Sequence, residues 1–129
     1  MFQKRGTRKT KAKYLYKSPL FIKSLAYGQE LNPDKIFILS ALHHLLDLDT
    51  EIEPYNLTLN NMTKSEKTNW SKIVIEQLQK VSDIKNDKFI ILAGQNYLTP
   101  LQNCLTNIET PLNGKKIGER LQFLKNQLK

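Results

Sequence analysis

Two short apolar runs constrain the fold of this chain more than any other feature. They are KIFILSA at Lys35–Ala41 and KFIILAG at Lys88–Gly94, and both are rich in β-branched or aromatic residues. Such runs are typical of strands covered on both faces, as in parallel sheets. Helical patterns separate them, so the strands are expected to pair in parallel through right-handed crossovers. The sequence therefore predicts a small three-layer α/β domain, in which helices flank a mostly parallel central sheet.

The helical segments carry start and stop signals. Ser18–Pro19 suits a helix start, because serine accepts from unpaired backbone N–H groups and proline at the first position loses no needed donor. Asn32–Pro33 should end that helix, since proline disfavours helical backbone at the residue before it. Further helices are expected from about residue 96 to residue 105 and from about residue 118 onward.

A fourth helix is predicted by a capping box. Thr63 and Glu66 have the spacing of a capping box. In this motif the side chain of each residue accepts a hydrogen bond from the backbone N–H of the other. The helix that follows places Trp70 on its apolar stripe, so Trp70 is expected in the core.

Charge is concentrated at the N-terminal end. Residues 1–29 hold eight basic residues and no acidic one, which equals the whole formal net charge of +8. A basic arm on a neutral body is typical of proteins that contact a polyanion, most often nucleic acid; the alternative is a solubilising or disordered end. We expect a flexible arm at residues 1–12 and a single domain at residues 13–129. The arm residues predicted to bind nucleic acid are Lys4, Arg5, Arg8 and Lys9.

Other broad classes are disfavoured by composition. No stretch approaches the roughly 20 apolar residues of a membrane span, and no apolar region follows the basic start as in a secretory signal. The single cysteine, Cys104, cannot form an internal disulfide, which fits the cytoplasm. It has no basic neighbour that would activate it, so a structural thiol is expected.

The strand ends predict where a ligand would bind. In open parallel sheets, ligands lie outside the carboxyl ends of the strands. One such end leads into the stretch SALHHLLDLDTEIEPY, and the other is the AGQNY segment, where glycine allows close backbone approach. If the two strands are neighbours, these residues border one crevice: Ser40, His43, His44, Gly94 and Tyr97.

The histidine and acid stretch has three interpretations. Adjacent histidines point in different directions and lack the helical spacing of metal ligands, so no metal or other cofactor is expected. In an enzymatic version, His43 or His44 with Glu53 would transfer protons, and Tyr55 or Tyr97 would stack a base. The alternative is a structured polar loop.

A second candidate phosphate contact lies near the C-terminal end. The stretch PLNGKKIGERLQFLK places Lys115 and Lys116 between two glycines, ahead of an amphipathic helix. Basic, glycine-containing loops at helix starts can hold a phosphate backbone. The alternative is an ordinary turn with solvated lysines.

Several blocks, among them KIFILSALHHLLDLDTEIEPYNLTLNNM, FIILAGQNYLTPL and PLNGKKIGERLQFLK, resemble a family of small bacterial and phage domains of unknown function. That family looks like a distant relative of the YaaA-like proteins. The resemblance implies an α/β fold with a central sheet. It also implies links to nucleic-acid binding, oxidative-stress protection and uracil-DNA-glycosylase-like domains. The family's signature positions correspond to Tyr14, Ser18, Pro19, Ser40, Glu53, Pro54, Tyr55, Gly94, Tyr97, Pro111, Leu112 and Gly118.

One departure from that pattern affects the expected sheet. Family members usually begin with a hydrophobic strand, whereas MFQKRGTRKTKAK contains no apolar run. A missing first strand would leave an exposed sheet edge, through which a homodimer could form.

The favoured function is binding of nucleic acid or a nucleotide, with glycosylase-like chemistry on a base or nucleoside left open. The alternatives are a small-molecule enzyme with an incidental basic arm and a non-catalytic interaction domain.

Overall fold

The part of the chain that the computed structural model describes, residues 9–128, contains five helices and six short strands. A single 3-10 turn at Leu59–Asn61 precedes the longest helix. In chain order the elements are β1 (Thr10–Lys11), α1 (Ala12–Leu15), α2 (Pro19–Glu30), β2 (Phe37–Ser40), β3 (His44–Asp47), β4 (Glu51–Ile52), α3 (Lys64–Val81), β5 (Phe89–Ile90), α4 (Gln95–Gln102), β6 (Ile108–Glu109) and α5 (Ile117–Gln127).

The prediction of a three-layer domain with a mostly parallel central sheet is wrong. The strands pair two by two, with β1 antiparallel to β4, β2 antiparallel to β3, and β5 parallel to β6. Strand β3 begins only four residues after β2 ends, and so short a connection permits only antiparallel pairing. The first apolar run therefore pairs with the segment that directly follows it. The second run contributes only Phe89–Ile90 to a ladder.

The turn between β2 and β3 is fixed by local contacts. The hydroxyl oxygen of Ser40 accepts from the backbone N–H of His43 at 2.9 Å. His44 adopts a left-handed backbone with φ of 65°, a conformation that is uncommon for residues other than glycine, although histidine, asparagine and aspartate adopt it more often than the rest. The first part of the histidine and acid stretch, which was expected to be a loop, therefore forms a hairpin.

A parallel crossover does occur at the second apolar run. Strand β5 leads through α4 to β6, and Phe89 and Ile108 are paired in the ladder. The backbone N–H of Ile91 donates to the carbonyl of Glu109 at 2.9 Å. The second apolar run and the helix after it thus form a single β-α-β unit with β6, a strand that the sequence analysis did not predict, without a larger sheet around it.

The chain divides into two compact units. The first comprises the chain up to Ile38, Leu46–Asn56 and the chain from Gly114; the second comprises Leu39–Leu45 and Leu57–Asn113. Each has a hydrophobic cluster of its own.

In the first unit, a small cluster of four buried side chains joins the N-terminal segment to β4. The four are Ala12, Ile38, Leu46 and Ile52. The same unit contains the packing of α2 on α5, where the rings of Tyr27 and Phe123 meet edge to face with centroids 6.0 Å apart. Residues Thr10 and Lys11, expected in a flexible arm, pair with Ile52 and Glu51.

In the second unit, α3 and α4 build the core. Trp70 is 3% exposed, which confirms its predicted burial, and Val74 and Leu98 pack in the same cluster. Removing apolar side chains of this size from water contributes about 1.5–3 kcal/mol each to the stability of the folded state. The cluster also contains Ala41, Leu59, Leu78, Ile91, Leu101 and Leu105.

The predicted helix signals are confirmed. Ser18 caps α2 by accepting from the N–H of Phe21, and Pro19 is the first helical residue. Thr63 and Glu66 form the complete capping box of α3. Both signals are formed by residues within three positions of each other, so they do not depend on tertiary packing.

Candidate functional site

The two strand ends expected to border a crevice are linked through Trp70. Its indole Nε1–H donates to the carbonyl oxygen of Ser40 at 2.9 Å. Its ring meets that of Tyr97 edge to face, with centroids 5.7 Å apart. The structure therefore brings Ser40 and Tyr97 to one indole within the second unit, although their strands are not ladder neighbours.

Ser40 serves the architecture of this site. Its side chain is buried, its carbonyl binds Trp70, and its hydroxyl accepts from the N–H of His43. Both polar groups of the residue thus have partners inside the protein. This arrangement orients the turn that carries the two histidines.

His43 lies on that turn and His44 is the first residue of β3; both are half-buried. Burial lowers the pKa of the His44 imidazole below its ordinary value of 6.5, so the ring is neutral near pH 7. A neutral imidazole can accept a proton, which is the property a general base requires. Among residues 9–128 no cluster of three histidine, cysteine or carboxylate side chains could hold a metal ion.

Gly94 caps α4 with its backbone. Its carbonyl oxygen accepts from the N–H groups of Tyr97 and Leu98 at 3.0 Å each. Beside it, the Lys67 ammonium donates to Oδ1 of Asn96 at 2.9 Å. The Asn96 amide donates in turn to Asn60 at 2.6 Å. This polar bridge joins α3, α4 and the 3-10 turn, and no sequence pattern had indicated it.

Glu53 and Tyr55 belong to the first unit, whereas Ser40, the two histidines, Gly94 and Tyr97 belong to the second. Glu53 is exposed. The hydroxyl groups of Tyr55 and Tyr16 are hydrogen-bonded, and their rings meet edge to face with centroids 6.4 Å apart. The Tyr55 ring also packs against the small cluster of the first unit.

The basic N-terminal residues can be followed from Lys9 onward, whereas Lys4, Arg5 and Arg8 lie outside the described residues. We call residues 9–23 the lysine segment; it contains five lysines and no acidic residue. Its lysines are Lys9, Lys11, Lys13, Lys17 and Lys23. The segment includes β1 and α1, so its first part is attached to the first unit by the pairing of β1 with β4.

One acidic side chain contacts this segment through ion pairs. Oδ1 of Asp49 lies 2.9 Å from the Lys13 ammonium and 3.9 Å from that of Lys11. The hydrogen bond between them raises the pKa of Lys13 and lowers that of Asp49. Within the described chain, Lys9, Lys17 and Lys23 make no ion pair.

The lysine segment also presents an aromatic ring. Tyr14 is 60% exposed. The Lys13 ammonium lies 5.2 Å from the centroid of the Tyr14 ring. Sequence reasoning missed both Tyr14 as an exposed ring and Asp49 as the partner of Lys13. The sequence shows that Lys11 and Lys13 alternate with Ala12 and Tyr14. The contact of Lys13 with Asp49, in contrast, depends on the tertiary fold.

The C-terminal basic loop is held mainly by its own helix. The Lys115 ammonium lies 5.4 Å from the centroid of the Phe123 ring. The backbone carbonyl of Lys115 accepts from Arg120 Nε at 2.9 Å. The backbone N–H of Lys116 donates to the carboxylate of Glu119 at 2.8 Å. Lys115 thus has partners in the first unit, while Lys116 is exposed.

These features define a small domain of helices and short paired strands that carries an exposed lysine-rich segment. Residues 2–126 match DUF6884, a family of unknown function, and the chain belongs to that family. No curated protein and no solved structure matches it. No helix in the described range is both long and apolar enough to cross a membrane.

Proposed function

We propose that this domain binds nucleic acid through the lysine segment of its first unit. The observation that carries the proposal is the pairing of Thr10–Lys11 with Glu51–Ile52. Because the backbone is fixed there, the lysines that follow are presented on a folded surface, and less conformational entropy is lost when they contact phosphates. Lys9, Lys11 and Lys17 are all exposed.

Charge supports a polyanionic partner. The first unit holds 14 basic and 7 acidic residues, and the second holds 6 and 5, so the net charges are +7 and +1. A surface with this excess attracts phosphates over a distance set by ionic strength. Lys115 and Lys116 belong to the same unit and add to its charge.

Fluorescence anisotropy with a labelled oligonucleotide tests this function. The triple variant Lys9→Gln, Lys11→Gln, Lys17→Gln should bind more weakly. The slope of log affinity against log salt should flatten by about 2, since each lost phosphate contact on a single strand removes about 0.7. The matched control is Lys72→Gln, Lys80→Gln, Lys85→Gln, which removes the same charge from exposed positions of the second unit. Equal losses in the two triples, or no binding by the wild-type chain, would reject the proposal.

A wider assignment accompanies this one. The sequence blocks that resemble the YaaA-like proteins of bacteria and phages support a distant kinship, and those relatives are associated with nucleic-acid binding. A cytoplasmic setting is supported by the single, exposed Cys104, since lone accessible thiols suit a reducing compartment.

A second candidate is chemistry on a base or nucleoside at the histidine turn. The neutral imidazole of His44 supports it, because a group that titrates below neutral pH is unprotonated and able to act as a base. Release of free base from an oligonucleotide or nucleoside should then be lost in a folded His43→Ala, His44→Ala variant. Retained release in that variant would reject it.

Of the alternatives, an interaction domain that dimerises through a sheet edge is tested separately. Its mass in solution should rise with concentration, and a constant monomer mass would count against it.

A further inference from the structure

Tyr14 differs from the other tyrosines in its surroundings. The rings of Tyr16, Tyr27, Tyr55 and Tyr97 each meet another aromatic ring within 6.4 Å. The Tyr14 ring instead lies beside the Lys13 ammonium, and the Tyr14 side chain is 60% exposed. A large apolar surface is thus left in water beside a lysine.

Lysines adjoin this ring and lie on both sides of it in the sequence. Asp49 holds the Lys13 ammonium at 2.9 Å, which keeps that cation beside the ring of Tyr14. Exposed Lys11 and Lys17 lie three residues before and three residues after it. The arrangement therefore offers one flat ring with cations on both sides along the chain.

We propose that Tyr14 stacks on an unpaired base, so that the nucleic acid bound by the lysine segment is single-stranded. Proteins that bind single strands combine a cationic track for the backbone with aromatic rings on which bases stack. In a duplex the base faces are covered by neighbouring bases, so an exposed ring gains little there without unstacking. The stacking role rests on the proposed function and narrows its ligand to single strands of DNA or RNA.

The test is equilibrium binding by the full chain and its Tyr14 variants. Four fluorescein-labelled probes are used: an oligothymidylate of about 12 nucleotides, the matching oligouridylate, a duplex of the same length and an abasic strand of the same phosphate count. Tyr14→Ala should weaken binding to the two base-containing single strands about 5- to 150-fold. Tyr14→Trp should retain binding, because the larger ring still stacks. Affinity for the abasic strand and the duplex should be unchanged.

Matched variants separate stacking from a loss of fold. Ile73→Ala removes another exposed apolar side chain, from α3 in the second unit, and should leave all four affinities unchanged. Tyr14→Phe keeps the ring without the hydroxyl and should bind like the wild type. Far-ultraviolet circular dichroism of each variant establishes that the fold is retained, which the exposure of Tyr14 leads us to expect.

The outcomes distinguish this inference from the proposed function. If the lysine variants weaken binding while Tyr14→Ala does not, or if Tyr14→Ala weakens abasic and base-containing strands equally, the stacking role is overturned and nucleic-acid binding stands. If no probe binds, both fail. Vesicles of phosphatidylcholine with about one third phosphatidylserine form the last arm. Tyr14-dependent binding to vesicles but not to oligonucleotides would assign the segment to a lipid surface and overturn the inference.

Discussion

The Lys13 ammonium lies 2.9 Å from Oδ1 of Asp49, a residue on the connection between β3 and β4. If the lysine segment binds nucleic acid as proposed, a phosphate oxygen that contacts Lys13 has to displace this carboxylate. Asp49 therefore competes with any polyanion for the same ammonium group.

Asp49→Asn should strengthen nucleic-acid binding, because it frees Lys11 and Lys13 for phosphate. Affinity should rise about two- to tenfold, and the salt slope should steepen by up to about 1. Anisotropy titrations over a range of salt concentrations measure both. Glu109→Gln, which breaks the exposed pair with Lys88, is the matched control and should have no such effect. A similar gain in the two variants would mean that only net charge matters.

Trp70→Phe should destabilise the second unit. It removes the indole donor from the buried carbonyl of Ser40 and also some packing volume, at a cost of about 1–3 kcal/mol for the lost donor alone. Urea unfolding followed by circular dichroism measures the change. Tyr97→Phe keeps the ring that meets Trp70 and should cost less. A cost no larger than that of Tyr97→Phe would mean that the hydrogen bond to Ser40 contributes little to stability.

His44 should make stability depend on pH. Its folded pKa lies below 6.5, so in the interval between the two values the unfolded chain binds more protons. The free energy of unfolding should therefore fall as pH drops through 6.5 and level off below the folded pKa. His44→Asn tolerates the left-handed backbone and should flatten this dependence. Denaturant titrations between pH 7.5 and about pH 4 measure it, and an undiminished slope in His44→Asn would contradict this assignment.

The two glycines that flank Lys115 and Lys116 should respond to alanine with opposite signs. Gly114 has φ of 79°, so an alanine there is strained by about 1–2 kcal/mol although nothing lies within 4 Å of its Cβ. Gly118 lies in α5 with open space around it, so Gly118→Ala should stabilise the chain by up to about 1 kcal/mol. Thermal unfolding of both variants measures the difference, and a gain from Gly114→Ala would contradict it.

Structural features that depend on residues close in the chain could be predicted from this sequence, whereas the pairing of strands could not. The capping box of Thr63 and Glu66, the start at Ser18 and the burial of Trp70 each depend on residues close in the chain or on one helical face, and each was predictable. The absence of a central sheet was not predictable. The strand after Ser40 pairs through a turn that contains no glycine or asparagine, the residues that usually signal a hairpin in a sequence. In that turn His44 takes the left-handed backbone.

The candidate site divides in the same way. Ser40 and Tyr97 were expected to lie close to each other, and both contact Trp70, because Ser40 lies near the end of the first apolar run and Tyr97 shortly after the second. The interaction of Lys13 with Asp49 was not predictable. It depends on β4 returning to β1 over the 39 residues that separate Lys11 from Glu51, which no periodicity reveals.

The pairing of β1 with β4 has a consequence for the order of events on the ribosome. Thr10 and Lys11 are synthesised well before Glu51 and Ile52, so the lysine-rich stretch emerges with no strand to join. The first unit also requires α5, which is made after the whole second unit. Assembly of the first unit can therefore finish only after the last residue of the second unit has been synthesised.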